Sequence, residues 1–222
     1  MRGESSLRPL PRESAMLSTF HDPLALRLPP ESPDSRRRHV GDLALEETAV
    51  ARFNALLAQL DPNAPRVTAD QLVTLARWLQ EQPRERAVAI LAERLRRAEH
   101  LRRMLNDGDW ELDAELRERS RLLISYLHEV NDLIPDDLPL VGHLDDALLV
   151  ELAWPAFRDQ SLDYGDFCAF RKQEQPRGTA AERRLAWEST RLAELALLQQ
   201  RRDVRSRPYA GGQPLQALFR VS

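Results

Sequence analysis

From Gly41 onward the apolar residues recur at three- and four-residue steps, and that spacing persists almost to the end of the chain. Leu45, Ala49, Phe53, Leu57 and Leu60 share one helical face and predict a first helix. Asp61-Pro62-Asn63-Ala64-Pro65 ends it. Thr68 and Gln71 have the spacing of a capping box, in which the hydroxyl takes a free amide and the glutamine reaches back. Leu72, Leu75, Ala76 and Leu79 follow as a core stripe, with Trp78 beside it. Pro83 suits the first turn of a third helix. Val88, Leu91, Leu95, Ala98, Leu101 and Leu105 carry that helix to about Asn106, before Asp107-Gly108-Asp109 breaks it. A fourth stripe, Leu112, Leu116, Leu123, Leu127 and Val130, predicts a helix from about Trp110. Residues 131–142 hold two prolines and a glycine and predict an ordered turn. A fifth helix is expected from near His143 to Trp154-Pro155, and a short sixth over Asp163 to Phe170. After the break at Gln175-Pro176-Arg177-Gly178, Thr179 and Glu182 form a second capping box that opens a helix to about Val204. No alternating segment of useful length and no fixed-period repeat stands out.

The pattern therefore predicts an all-α fold: a single helical bundle of six or seven helices with a disordered N-terminal tail. Residues 1–39 carry six of the 15 prolines and the run Arg36-Arg37-Arg38, and they read as that tail. Residues 40–206 form the helical domain, and 207–222 a C-terminal tail. Its small apolar cluster, Leu215, Leu218, Phe219 and Val221, is expected to dock on the bundle or to bind another chain.

Composition narrows the function classes. Hydrophobic residues make up 42% of the 222, enough for a real core, and the eight glycines are too few for a glycine-rich nucleotide-binding fold. Cys168 is the sole cysteine, so no intrachain disulfide and no cysteine-based metal site can form. Without a secretory leader or a long uncharged apolar run, the expectation is a cytoplasmic protein with no transmembrane segment. Net charge is −3, which supplies no global field toward nucleic acid, so nucleic acid is an unlikely partner. That small total hides strong segregation. Residues 84–105 hold seven arginines and three acids, while 122–157 hold seven acids and no Lys or Arg. Residues 171–207 hold ten basic and five acidic residues. Basic helices packed beside the acidic segment would neutralise it internally. The rival reading is a basic flank on the third helix, at Arg94, Arg97 and Arg103.

The acidic segment holds the one signature in the chain. Asp132, Asp136, Asp145 and Asp146 punctuate an apolar stretch whose backbone is fixed by Pro135, Pro139 and Gly142. Leu133, Ile134, Leu138, Leu140, Val141 and Leu144 would draw this turn into the core, and an uncompensated carboxylate carried with them is very costly. Here the chain resembles the YkvA-like family, a bacterial domain of unknown function. The resemblance rests on Asp132-Leu133-Ile134-Pro135-Asp136, then Pro139, Gly142 and Asp145-Asp146, within residues 126–157. It implies a small helical module, and it imports no activity.

Three uses of the aspartates follow. The preferred one makes Asp136 or Asp145 a helix N-cap, with neighbours paired to arginine. The second is a hard-cation site for Mg²⁺, Mn²⁺ or Ca²⁺ built from Asp132, Asp136, Asp145 and Asp146, with His128 and His143 as nearby nitrogen donors. The third is a docking surface for a basic partner. Cys168 reads as a buried, inert thiol. The function expected is a non-enzymatic interaction or scaffold module that binds a protein partner or forms a homo-oligomer. The alternatives are a divalent-metal-binding protein or metal-dependent hydrolase using the aspartates, and a protein in peripheral contact with a membrane. That last reading needs an exposed apolar face rimmed by arginine.

Overall fold

A computed structural model describes residues 26–31, 37–129 and 133–206. The chain is all-α. Six helices account for nearly all regular structure among the described residues: α1 (Glu47–Leu60), α2 (Ala69–Gln80), α3 (Arg84–Asn106), α4 (Ala114–Tyr126), α5 (Leu144–Glu174) and α6 (Ala180–Ser206). A two-residue antiparallel hairpin precedes them, β1 (His39–Val40) with β2 (Leu43–Ala44). Gly41 occupies the first position of its loop at φ +60°, a conformation open to glycine at no steric cost.

The chain divides into two compact units where the sequence predicts one domain. The first comprises residues up to Asn106 and Leu112–Ser161, and the second comprises Asp107–Glu111 with the residues from Leu162 onward. In the first unit α4 packs against α1 and α3, and α2 packs against α3 and β1. Phe53 of α1 meets Tyr126 of α4 edge-on at 6.2 Å. The expected core positions Phe53, Leu57, Leu60, Leu72, Leu75, Leu79, Leu101 and Leu123 are all buried.

Local signals hold where the chemistry is short-range. The Thr68–Gln71 capping box forms in both directions. Thr179 and Glu182 form the second. Asn54, inside α1, donates to the Val67 carbonyl at 2.7 Å and accepts from the Val67 amide at 2.7 Å. This two-way bond ties the α1–α2 connection to the first helix and satisfies backbone groups that burial would otherwise orphan.

Five expectations are corrected. Leu26 is 2% exposed and the Pro29 carbonyl accepts a 2.7 Å bond from Gln71, so residues 26–31 pack on the first unit instead of belonging to a tail. The earlier residues lie outside the described ones, as do 207–222 and the cluster at Leu215–Val221. The fourth helix begins at Ala114, with Asp113 accepting from the Leu116 amide as its N-cap, so Trp110 and Leu112 belong to the connection. The expected fifth and sixth helices are one, because α5 runs through Pro155. An internal proline costs about 3 kcal/mol. Here it stands on the exposed side, where water can take the carbonyl it leaves open, while Ala153 and Phe157 are buried. The α3 stripe is also rotated: Ala87, Ile90, Leu91, Arg94, Ala98, Leu101 and Met104 are buried, and Val88 is 51% exposed. Finally, Cys168 is half-buried and accepts from Arg171, where the sequence suggested full burial.

Candidate functional site

The signature segment forms a turn that leads into α5 within the first unit. Leu140 takes φ +71°, a left-handed conformation costing a β-carbon residue about 1–2 kcal/mol. Gly142 follows because the backbone folds over itself there. A β-carbon at that position would sit within 2.9 Å of the Asp136 Cα and would collide with its carbonyl. The two prolines and the glycine thus place Asp136 back beside the start of α5.

The four predicted aspartates separate into different roles. Asp132 lies outside the described residues. Asp145 is fully buried, and its Oδ2 accepts from the Tyr126 hydroxyl at 3.0 Å, the Leu133 amide at 3.0 Å and the Ile134 amide at 3.1 Å. It stands in the first turn of α5, where the helix dipole favours negative charge. It is not the N-cap that the sequence suggested: it lies inside α5, and these bonds hold the preceding turn and Tyr126 instead of first-turn helix amides. Asp136 pairs with an imidazole, not with arginine: His143 Nδ1 lies 2.7 Å from Asp136 Oδ1 and 3.5 Å from Asp146 Oδ2. Asp136 and His143 are exposed and Asp146 is buried. One donor atom from each of Asp136, His143 and Asp146 lies within 4.8 Å of the other two. Of the cation set read from sequence, Asp136, Asp146 and the nearby donor His143 come together, while Asp145 is taken up by structural bonds. His128, just past the end of α4, instead bonds the Ile124 carbonyl of that helix at 2.6 Å.

Beside this group is an open pocket of about 330 Å³. Val88, Leu91, Ala92 and Leu95 of α3 form one wall, and the turn from Asp136 to His143 forms the other. Its walls are mainly apolar, with the Asp136 and His143 side chains as polar groups at the edge.

The basic flank expected on α3 does not exist as a free face. Arg94 is completely buried, and its Nε donates to Glu151 at 2.7 Å. Arg97 donates to the same carboxylate at 3.0 Å and stacks over Trp154 at 5.3 Å. Arg103 is exposed and paired to Glu99 at 3.1 Å. Hydrogen bonding from Arg102 lowers the Glu99 carboxyl most; desolvation opposes it, and the bond from Arg103 with the charges of both arginines brings the group down to about 2. Internal neutralisation between α3 and the acidic segment is what the geometry contains, concentrated at Glu151.

The second unit has its own polar cluster, which the sequence showed only as a helix break. Asp107 and Asp109 grip Arg171 of α5, and Asp109 also grips Arg183 of α6. Tyr164 donates to Asp107 at 2.9 Å, and Arg184 donates to Glu111 at 2.6 Å. Burial pushes the Asp107 carboxyl up, but bonds from Arg171, the Asp109 amide and Tyr164 outweigh it and leave the group below its ordinary value. Arg183 chiefly lowers Asp109. Under this cluster, Trp110 packs with Tyr164, Phe167 and Trp187 at ring separations of 5.3–5.6 Å. The missed signal was the pair of acids flanking Gly108, set against an arginine-rich region with few carboxylates of its own.

No family model, curated protein or solved structure matches this chain. Function must therefore be argued from this geometry. Beyond Trp187, α6 buries little. Every residue from Leu195 to Arg205 is exposed, and no helix among the described residues is long and apolar enough to cross a membrane.

Proposed function

We propose that this protein is a non-enzymatic interaction module of the YkvA-like kind, acting in the cytoplasm, and that α6 is its docking element. One observation supports this reading: Leu185, Leu192, Leu195 and Leu198 are 61, 67, 52 and 41% exposed along a single helix. Isolated surface leucines are ordinary, but this many on one helix, with Leu197 at 55% and Val204 at 65% beside them, mark an interaction surface. Each removed from water contributes at about 25 cal/mol per Å² of apolar area. The test uses the full chain and a Leu192→Gln/Leu195→Gln variant as bait for bound protein, whether another copy or a different chain. Loss of a bound protein from the variant supports the module. An identical bound set for both baits overturns it.

A second reading is favoured by the donor geometry at Asp136, His143 and Asp146. Two carboxylates and an imidazole suit Mn²⁺ or Zn²⁺ better than the Mg²⁺ or Ca²⁺ suggested by oxygen donors alone. The measurement is a thermal melt in chelator and then in each ion. A cation at about 100 times its dissociation constant adds roughly 2.7 kcal/mol, or about 5–10 °C for a chain of this size. A shift in wild type that vanishes in His143→Ala supports the site, and no shift with any ion removes it.

A further inference from the structure

Asp136 and His143 belong to two features at once. They supply two of the three donors that converge with Asp146, and they line the pocket between α3 and the signature turn. We propose that this pocket takes the alkyl chain of a small carboxylic acid, whose carboxylate completes the coordination of a divalent cation held by Asp136, His143 and Asp146; this rests on the cation reading and names the ligand class. The pocket measures about 330 Å³, at the lower end of the range for small-molecule sites. Val88, Leu91, Leu95, Leu138 and Leu140 give it apolar walls, and Val88 is left 51% exposed there. Three protein donors leave a cation with an open position for water or a ligand atom. The polar edge that would hold the ion is thus continuous with walls suited to an apolar chain.

Charge selects the head group. Asp136 and Asp146 balance a divalent ion, and the imidazole binds in its neutral form. Asp137 adds a further acid to the lining, and among the described residues no lysine or arginine lines the pocket. A phosphate, with up to two charges, would lack the basic partners that such a group draws on. A monocarboxylate brings one charge and an oxygen donor that Mn²⁺ and Zn²⁺ accept. Without the ion, Asp136, Asp137 and the adjacent Asp146 repel that carboxylate, so uptake of the acid depends on the ion. A peptide chain fits less well than an alkyl chain, because its amides would lie against apolar side chains.

The experiment is calorimetric titration of the full chain, first with Mn²⁺ and Zn²⁺, then, with the bound ion saturating, with sodium hexanoate, octanoate and decanoate. Affinity for the acids is expected to rise about fourfold per added methylene. In chelator decanoate is expected to bind at least about tenfold more weakly, and by linkage it tightens the ion by the same factor. His143→Ala is expected to lose both ion and acid. Val88→Asp, on the pocket wall, is expected to keep the ion and to weaken decanoate about tenfold or more, with circular dichroism confirming intact helices. An acid that does not bind beside the bound ion, that binds equally in chelator, or that ignores chain length or Val88→Asp overturns the proposal and leaves the cation site standing. Decylamine that binds in chelator more tightly than decanoate binds with the ion also overturns it, in favour of an amphiphilic cation held by the bare carboxylates. Uptake of neither metal ion removes the cation site and the proposal with it.

Discussion

Replacing Asp145 by alanine takes the shared acceptor from three donors at once. The Tyr126 hydroxyl and the amides of Leu133 and Ile134 all converge on Oδ2 at 3.0–3.1 Å, in a place with no solvent exposure. A hydrogen bond to a charged group is worth about 1.5–3 kcal/mol net, and each buried donor left behind costs about 1–3 kcal/mol. These contributions overlap on one oxygen, so the expected loss for Asp145→Ala is about 3–5 kcal/mol. At about 2–4 °C per kcal/mol for a chain of this length, the melting temperature falls by roughly 6–20 °C. Asp145→Asn keeps an acceptor oxygen and loses the charge, so its cost is about 1–2 kcal/mol. Asp137→Ala, at an exposed position, is the control and is expected to stay within about 0.5 kcal/mol of wild type. Urea denaturation followed by circular dichroism measures all three. Amide exchange adds a local readout: Leu133 and Ile134 are expected to lose protection in Asp145→Ala before the rest of the first unit does. A loss under about 1 kcal/mol for alanine, or equal losses for alanine and asparagine, would refute the view that this carboxylate organises the turn.

Two other perturbations probe the remaining charges. Arg94→Ala strands Glu151 and leaves a void at a fully buried position, with an expected cost of about 3–5 kcal/mol in urea denaturation; the apolar pair Arg94→Met/Glu151→Leu should recover most of it, and a near-wild-type Arg94→Ala would refute the ion pair's role. Asp107 and Asp109 have lowered folded-state pKa values, so the stability they contribute is present above the unfolded value of about 3.9 and is lost as pH falls through the depressed folded values. Tryptophan fluorescence during acid titration, in a Trp78→Phe/Trp154→Phe background so that it reports Trp110 and Trp187 of the second unit, is expected to show unfolding that steepens below about pH 4. Asp107→Asn/Asp109→Asn should be less stable near neutrality and flatter in acid, and an unchanged acid slope would contradict the assignment.

The hydrophobic spacing determined the helices, because helix periodicity is a local property of the chain. The same holds for both capping boxes, whose partners stand three residues apart, and for the break at Asp61–Pro65. Boundaries set by proline and aspartate were less legible. Pro155 reads as a stop, yet the buried residues on either side of it carry α5 through, since packing over a long helix outweighs one lost backbone bond. Arg94 was legible only as a surface charge, because its partner Glu151 is 57 residues away and polarity alone places arginine outside. In the α3 stripe Arg94 is buried while Val88, expected in the core, is exposed.

The candidate site divides along the same line. Two prolines, a glycine and the aspartates announced a constrained turn, and Gly142 is needed because the backbone passes over Asp136 with no room for a β-carbon. Which carboxylates converge was beyond the sequence. Asp145 and Asp146 are adjacent in the chain, but successive positions on a helix point about 100° apart. One therefore turns to Tyr126 and the preceding amides, while the other turns to His143. The sequence by itself determined the helical class and where charge accumulates. Tertiary structure alone decided which charges meet, because an ion pair depends on distances that the folded backbone sets and the order of residues does not.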